Sequence, residues 1–317
     1  MRFSVDNAMH FGLLNINKPG GITSRQVVDH VAKLVKPDKT GHSGTLDPLA
    51  TGVLVVCIGR ATRLTPYIQD QLKAYVAQFL LGRRSNTNDV TGDVVEVAQR
   101  LPVTRHMIEE LIPRFVGRIN QVPPQFSAVH VDGQRAYKLA RHGEQVQLRP
   151  KMVEIHRIVL KKFNYPEIEL EIECGSGTYI RSIGRDLGEL LGCGAVMSEL
   201  MRSRIGPFTL DTAVELSDLN EESLTSQLLP TVMAVDHFRK QICTENELNA
   251  VRCGRPIAFQ QPSVDDWRKA KPEMTAGEQP MDHEGLVALL TCDGQLAALA
   301  QIQNHGRILA PKQVFVC

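Results

Sequence analysis

The chain has 317 residues, 43% of them hydrophobic and 22% charged, which is enough for one large domain and a small one around a sizeable core. With 36 Lys and Arg against 35 Asp and Glu, the net charge of +1 excludes a polycation that holds nucleic acid by bulk electrostatics. The seven cysteines form no CxxC pair and no Cys/His set at zinc-finger spacing, so neither a disulfide framework nor a structural metal is expected, and no apolar run approaches a membrane span.

An apolar run from Phe11 to Ile16, ahead of Asn17, Lys18, Pro19, Gly20 and Gly21, predicts a strand that ends in a turn. Val27, Val28, Val31, Leu34 and Val35 then recur at helical spacing, with Thr23 or Ser24 as the cap and Pro37 as the stop. The next stretch, GHSGTLDPLATGVL from Gly41 to Leu54, surrounds one carboxylate, Asp47, with glycines, Pro48 and small hydroxyl residues. It reads as a stiff loop that presents an acid to a ligand before running into a strand, Val53 to Ile58. A helix is expected from Ala61 to Ile68, a strand covered on both faces from Lys73 to Leu81, and a polar loop from Gly82 to Gly92. Asp93 to Ala98 alternates as a strand, and Ile108, Leu111, Ile112 and Phe115 mark an amphipathic helix ended by Gly117.

From Gln121 to Pro150 the chain is rich in Pro, Gly and charge, with an Asp132-Gly133 turn and a helical pattern from Ala136 to Arg141, which predicts a surface excursion. A hairpin of Met152 to Phe163 and Glu167 to Cys174 follows. After Tyr179, a helix from Ile180 to Leu191 buries Ile183, Leu187 and Leu190, and Ala195 to Ile205 returns as a strand with Arg202 and Arg204 on one side. A boundary is expected near Asp236. Beyond it come a short helix with a Thr244/Glu247 capping box, a stretch from Gln260 to Glu284 without apolar periodicity, and a small β unit from Leu286 to Val316. Strands and helices are interspersed without a strict βαβ rhythm, so the fold class is α+β, with a mixed, largely antiparallel sheet in residues 1–236 and a second unit in 237–317.

Several blocks together carry a resemblance: NKPGGITS at 17–24, GHSGTLDPLATGVL at 41–54, KAY at 73–75 followed by GRRSNTND at 82–89, GTYIRSI at 177–183, and the strand around Leu200 to Arg204. In these blocks, and in their order, the sequence resembles the bacterial tRNA pseudouridine-55 synthases. The resemblance implies a catalytic domain of pseudouridine-synthase type that isomerises a uridine in RNA. The N1 to C1′ glycosidic bond breaks, the base turns, and a C5 to C1′ bond forms. By the same resemblance Asp47 is the catalytic carboxylate, attacking C1′ or C6 or acting on the sugar through a glycal, with no metal or organic cofactor. Arg181 is implied as the cation that pairs with Asp47 and holds it ionised. Tyr75 stacks on the target base and takes the C5 proton, and Tyr179 and Leu200 line the same pocket. His42 supports the flipped nucleotide or fills the position it vacates, and Lys18 braces the active-site loop or meets a phosphate.

The substrate so implied is the T-arm stem-loop of tRNA, recognised by shape, splayed bases and phosphates. Residues 121–150 form the arm that closes over it, through Arg135, Lys138, Arg141 and His142. Residues 237–317 resemble the small β-barrel RNA-binding domain called PUA, from whose bacterial pattern the stretch 260–284 departs. The expected protein is cytoplasmic and monomeric, with no obligate protein partner. Three other readings fit parts of the sequence. A guide-RNA-directed pseudouridine synthase shares the Asp47 block but lacks the arm at 130–148. An RNA-binding or tRNA-folding protein has no need of Asp47, Tyr75 and Arg181 together, and a glycoside hydrolase needs a second acid in a comparable block.

Overall fold

The computed structural model describes residues 10–98, 102–127, 129–131, 134–135, 139, 147–260 and 285–316. Strand β1 (Gly12–Lys18) leads into helix α1 (Ser24–Leu34), where Thr23 and Gln26 form a capping box. Ser24, the other candidate cap, is buried, and its hydroxyl exchanges hydrogen bonds with the backbone of Leu46 instead. Strand β2 (Thr51–Ile58) pairs antiparallel with β1. It is apolar throughout because both of its faces are covered. Leu54, Val56 and Ile58 meet the valines of α1, while Val53, Val55 and Cys57 meet the C-terminal part of the chain.

The main path of this ten-stranded sheet also includes β3 (Lys73–Leu81), β4 (Gly117–Gln121), β5 (Lys151–Asn164), β6 (Glu167–Cys174), β7 (Ala195–Ile205) and β8 (Val214–Glu215), while the short strands Thr40–His42 and Phe208–Thr209 pair with β2 and β7 off it. Their order is β8-β1-β2-β7-β3-β6-β5-β4. The β1–β8 and β2–β7 ladders are parallel and the other five antiparallel, so the sheet is mixed and the fold α+β. Helix α2 (Ile180–Leu190) lays Ile180, Ile183 and Leu187 on the face of β3, β6 and β7 that carries Phe79, Leu170 and Met197. Gly184 makes this approach possible, since a Cβ there would lie 2.2 Å from the Phe79 ring.

The C-terminal strands β9 (Arg239–Ile242), β10 (Ile257–Ala258), β11 (Leu286–Leu290), β12 (Leu296–Gln303) and β13 (Ile308–Val314) form a second sheet, with helix α3 (Glu245–Arg252) packed on it. Its order is β9-β11-β12-β13-β10. Among the described residues no backbone ladder joins the edges β9 and β10. The Gln241 side chain spans that gap, donating to Ala258 O at 3.0 Å and accepting from Gln260 N at 3.0 Å. Leu286, Ala288, Leu299 and Phe315 of this part share one core with Val53, Val55, Phe208 and Phe238.

Several expectations change. The helix expected from Ala61 to Ile68 divides into a 3-10 segment, Gly59–Leu64, and an α-helix, Thr65–Asp70, that begins with Pro66 in its first turn. The strand expected from Asp93 to Ala98 shrinks to Val95–Glu96, whose side chains are exposed and have no core to face. Arg202 and Arg204 do not share a side of β7. A bulge between them sets Arg202 opposite Tyr75 and Arg204 opposite Ala74, and adjacent residues of β3 face opposite ways. Arg202 is therefore buried, while Arg204 reaches Glu173 at 3.5 Å on the outside of the sheet. Lys138, Arg141, His142 and the stretch 261–284 lie outside the described residues, and of Arg135 only the backbone is described, in a strand Gln134–Arg135 paired with His130–Val131.

Candidate active site

A cleft of about 750 Å³ opens where β2, β3 and β7 meet the N-terminus of α2. Asp47, Tyr75, Tyr179, Arg181 and Leu200 all line it, so the structure brings together residues separated by up to 153 positions in the chain (200 − 47). The Asp47 loop is pinned from several sides. Ser43 is buried and donates both its N–H and its hydroxyl to Val55 O, Leu46 is tied to Ser24, and Gly21 N–H donates to Pro48 O at 2.8 Å. Lys18, with 0% of its surface exposed, donates to Pro19 O at 2.8 Å, Pro48 O at 3.4 Å and Ala50 O at 2.7 Å. These acceptors use all the N–H bonds of an ammonium, so the side chain has the geometry of a brace and none left for a phosphate.

Arg181 stands in the first turn of α2, an end of the helix that disfavours a cation, and it is held there by specific partners. Its Nε lies 3.0 Å from Asp47 Oδ2 and its Nη2 3.3 Å from Asp47 Oδ1. Nη1 donates to Thr87 O at 2.9 Å and Nη2 to Phe126 O at 3.0 Å. Nη1 also lies 3.4 Å from Asp89 Oδ2. Asp89 is buried and accepts hydrogen bonds from the Thr87 hydroxyl and from the N–H and hydroxyl of Thr91. The guanidinium is thus shared by two carboxylates that both line the cleft, Asp47 and the more deeply buried Asp89.

Burial pushes the Asp47 carboxyl up from its ordinary range, against the pull of Arg181; Asp89 pushes it further up and Lys18 draws it down. Arg181 lowers this carboxyl, as expected of a paired cation, by charge and by hydrogen bond, while desolvation acts the other way and sets the net direction. The side chain keeps 35% of its surface exposed to the open cleft, so water there offsets part of that burial. Lys18 is drawn down to about 8, by burial first, with Asp47 opposing. Tyr75 is 7% exposed and its phenol is pushed up by burial, while Arg202 pulls it down by charge and by a side-chain hydrogen bond.

Tyr179 precedes α2, and Gln121 clasps it by accepting from its N–H at 2.7 Å and donating to its carbonyl at 3.0 Å. Leu200 is buried and forms an apolar part of the wall. His42 lies beside the cleft and is not among its lining residues; its Nδ1 accepts from Gly44 N–H at 3.3 Å, and burial holds its ring below the ordinary histidine range. Two cleft residues were not singled out from the sequence. Asp89 closes the GRRSNTND block, where an acid among polar residues reads as solvated. The sequence places Arg202 only on one side of the strand with Arg204, because strand alternation takes no account of the bulge that turns Arg204 away.

The fold is similar to that of chains in two solved complexes. One, from a Cbf5-Nop10-Gar1 complex, superposes with a TM-score of 0.71 at 28% identity, covering 99% of this chain and 87% of that one. Another, from an H/ACA RNP bound to a substrate RNA containing 2′-deoxyuridine, gives 0.70 at 26% identity, covering 99% and 88%. Residues 32–180 match the N-terminal domain model of the TruB family pseudouridylate synthases, and residues 181–238 match the tRNA pseudouridylate synthase B C-terminal domain model. The tRNA pseudouridine synthase B of Prochlorococcus marinus is 36% identical over 96% of this chain and 98% of its own length. That of Dehalococcoides mccartyi is 44% identical over 78% and 84%. The chain belongs to the TruB family of pseudouridylate synthases.

Proposed function

We propose that this chain isomerises uridine 55 in the T-arm of tRNA to pseudouridine, with Asp47 as the catalytic carboxylate. The observation that carries the reading is the two-pronged grip of Arg181 on Asp47 at the floor of a cleft walled by Tyr75, Tyr179 and Leu200. A carboxylate fixed in this way is a usable nucleophile. It meets the sugar at C1′, the base at C6, or a sugar proton on a route through a glycal. In each case the N1 to C1′ bond breaks, the base turns against Tyr75, and C5 bonds to C1′. The target base must first leave its stack, which the depth of the cleft requires. His42, beside the Asp47 loop, then supports the vacated position.

The relatives named tRNA pseudouridine synthase B support tRNA as the substrate. In this reading residues 1–236 are the catalytic unit, with an arm at 121–150 whose Arg135, Lys138, Arg141 and His142 meet RNA phosphates. Residues 237–317 act as a PUA-like unit that contacts RNA away from the target base. The protein works in the cytoplasm as a monomer without an obligate protein partner. The test is Asp47→Asn assayed by tritium release from [5-³H]uridine-labelled T-arm stem-loop. Release is expected to be abolished while RNA affinity stays within a few fold, and a fully active variant would sink the reading.

A further inference from the structure

Arg202 is a guanidinium with 1% of its surface exposed, set against the cleft. Burying a cation is costly unless its surroundings compensate it. Its described partners are all neutral oxygens. Nε donates to Val53 O at 2.8 Å, Nη2 donates to Gly44 O at 3.1 Å, and the Tyr75 hydroxyl shares a side-chain hydrogen bond with it. Each partner belongs to a different part of the site: Val53 to β2, Gly44 to the Asp47 loop, and Tyr75 to β3. Two features of the backbone bring Arg202 there. Regular alternation from Leu200 puts it on the Tyr75 side of the sheet, ahead of the bulge that turns Arg204 away, and Gly52 lets β2 approach, since a Cβ at 52 would lie 2.3 Å from Arg202 O.

We infer that Arg202 is a positioning residue for the reaction: it holds the Tyr75 oxygen and the Asp47 loop in one frame and favours the phenolate form in which that oxygen can take the C5 proton. The inference rests on the role of Tyr75 in the function proposed above. In this step the C5–H bond breaks and its electron pair closes the C5=C6 double bond of the product. The Tyr75 phenol first gives its own proton to water, and the phenolate oxygen then takes the C5 proton and passes it on to water, while N1, freed from the sugar, takes a proton from water. A guanidinium hydrogen bond to a phenolate joins two opposite charges and is stronger than the one it makes to a neutral phenol. With no anion among the described partners of Arg202, that gain is left for the reacting oxygen.

The test uses Arg202→Gln, which removes the charge and keeps a donor, and Arg202→Lys, which keeps the charge and loses the fork. Single-turnover rates are measured on a T-arm stem-loop carrying protium or deuterium at C5 of the target uridine, with folding checked by circular dichroism. Arg202→Gln is expected to slow the reaction by about 100-fold, within the range of general-base effects, and to raise the C5 isotope effect above that of the wild type. Arg202→Lys is expected to move both in the same direction by less. A folded variant that is slow but keeps the wild-type isotope effect reduces Arg202 to a structural brace and overturns the inference. If Arg202→Gln does not fold, Arg202→Lys decides by the same readout. Failure of the underlying function is seen separately, as full activity in Asp47→Asn or Tyr75→Phe.

Discussion

Arg181 meets Asp47 side-on, Nε at 3.0 Å from Oδ2 and Nη2 at 3.3 Å from Oδ1, while Nη1 turns to Asp89 at 3.4 Å. A fork that reaches two carboxylates and the carbonyls of Thr87 and Phe126 at once fixes direction as well as charge. A lysine at 181 supplies the charge without the fork. Arg181→Lys is therefore expected to lower the single-turnover rate on the order of 10²-fold, the usual effect of displacing a reacting group by an ångström. RNA affinity should change by no more than a few fold. Filter binding and tritium release on the same preparation separate the two, and a variant at wild-type rate shows that charge alone suffices.

The direction of the Asp47 shift makes the rate depend on pH in a defined sense. The carboxylate must be ionised to act, and its folded value lies above the ordinary 3.8, so activity falls at a higher pH than a free carboxylate titrates. Asp89 contributes to that rise by like charge. Asp89→Asn removes the like charge, so the acid limb of the single-turnover profile is expected to move to lower pH. The rate on the plateau falls at the same time, because Arg181 loses one of its anchors. A limb that stays in place or moves up contradicts the coupling between the two acids.

Asp47 is legible locally, among glycines and Pro48, whereas Arg181 and Tyr75 are legible through the resemblance of their blocks to the family. What was not legible depends on pairing across the chain. Asp89 matters because the loop at 82–92 folds behind α2, and nothing in GRRSNTND says so. Arg202 matters because it follows Leu200 onto the cleft face while a bulge turns Arg204 to the other, and a bulge is settled by the partner strand. The strand order likewise could not be read, since β2 pairs with β7 across about 150 residues of sequence, and loop closure over such distances leaves no local mark. Lys18 shows the intermediate case. Its block was legible, but the choice between brace and phosphate contact needed the positions of three carbonyls.

Gly52 tests how tightly the sheet closes on the site. Its φ of +97° and a Cβ position 2.3 Å from Arg202 O mean that alanine there meets both backbone strain and backbone overlap. Gly21, at φ +82° with nothing within 4 Å of its Cβ position, isolates the strain alone. Gly21→Ala is expected to cost about 1 kcal/mol and Gly52→Ala more than about 3 kcal/mol, because strand and neighbour must move apart. Denaturant unfolding of both variants makes the comparison. Equal costs mean that β2 and β7 separate without resistance.

Lys18 pulls Asp47 in the direction opposite to Asp89, which gives the pair of variants opposite signs. Lys18→Met keeps the length of the side chain and removes its charge and its donors. The carbonyls of Pro19, Pro48 and Ala50 then lose a buried partner, at a cost of about 1–3 kcal/mol for a buried group left unmade. The loop that carries Asp47 loosens and the plateau rate falls. The Asp47 carboxyl also loses a nearby positive charge, so its folded value rises further and the acid limb moves to higher pH, where Asp89→Asn moves it lower. Single-turnover profiles of the wild type and the two variants, taken over the same pH range, decide the matter. Shifts of the same sign in both variants contradict the assignment of Asp47 as the group that titrates, whereas opposite shifts tie the acid limb to the carboxylate between them.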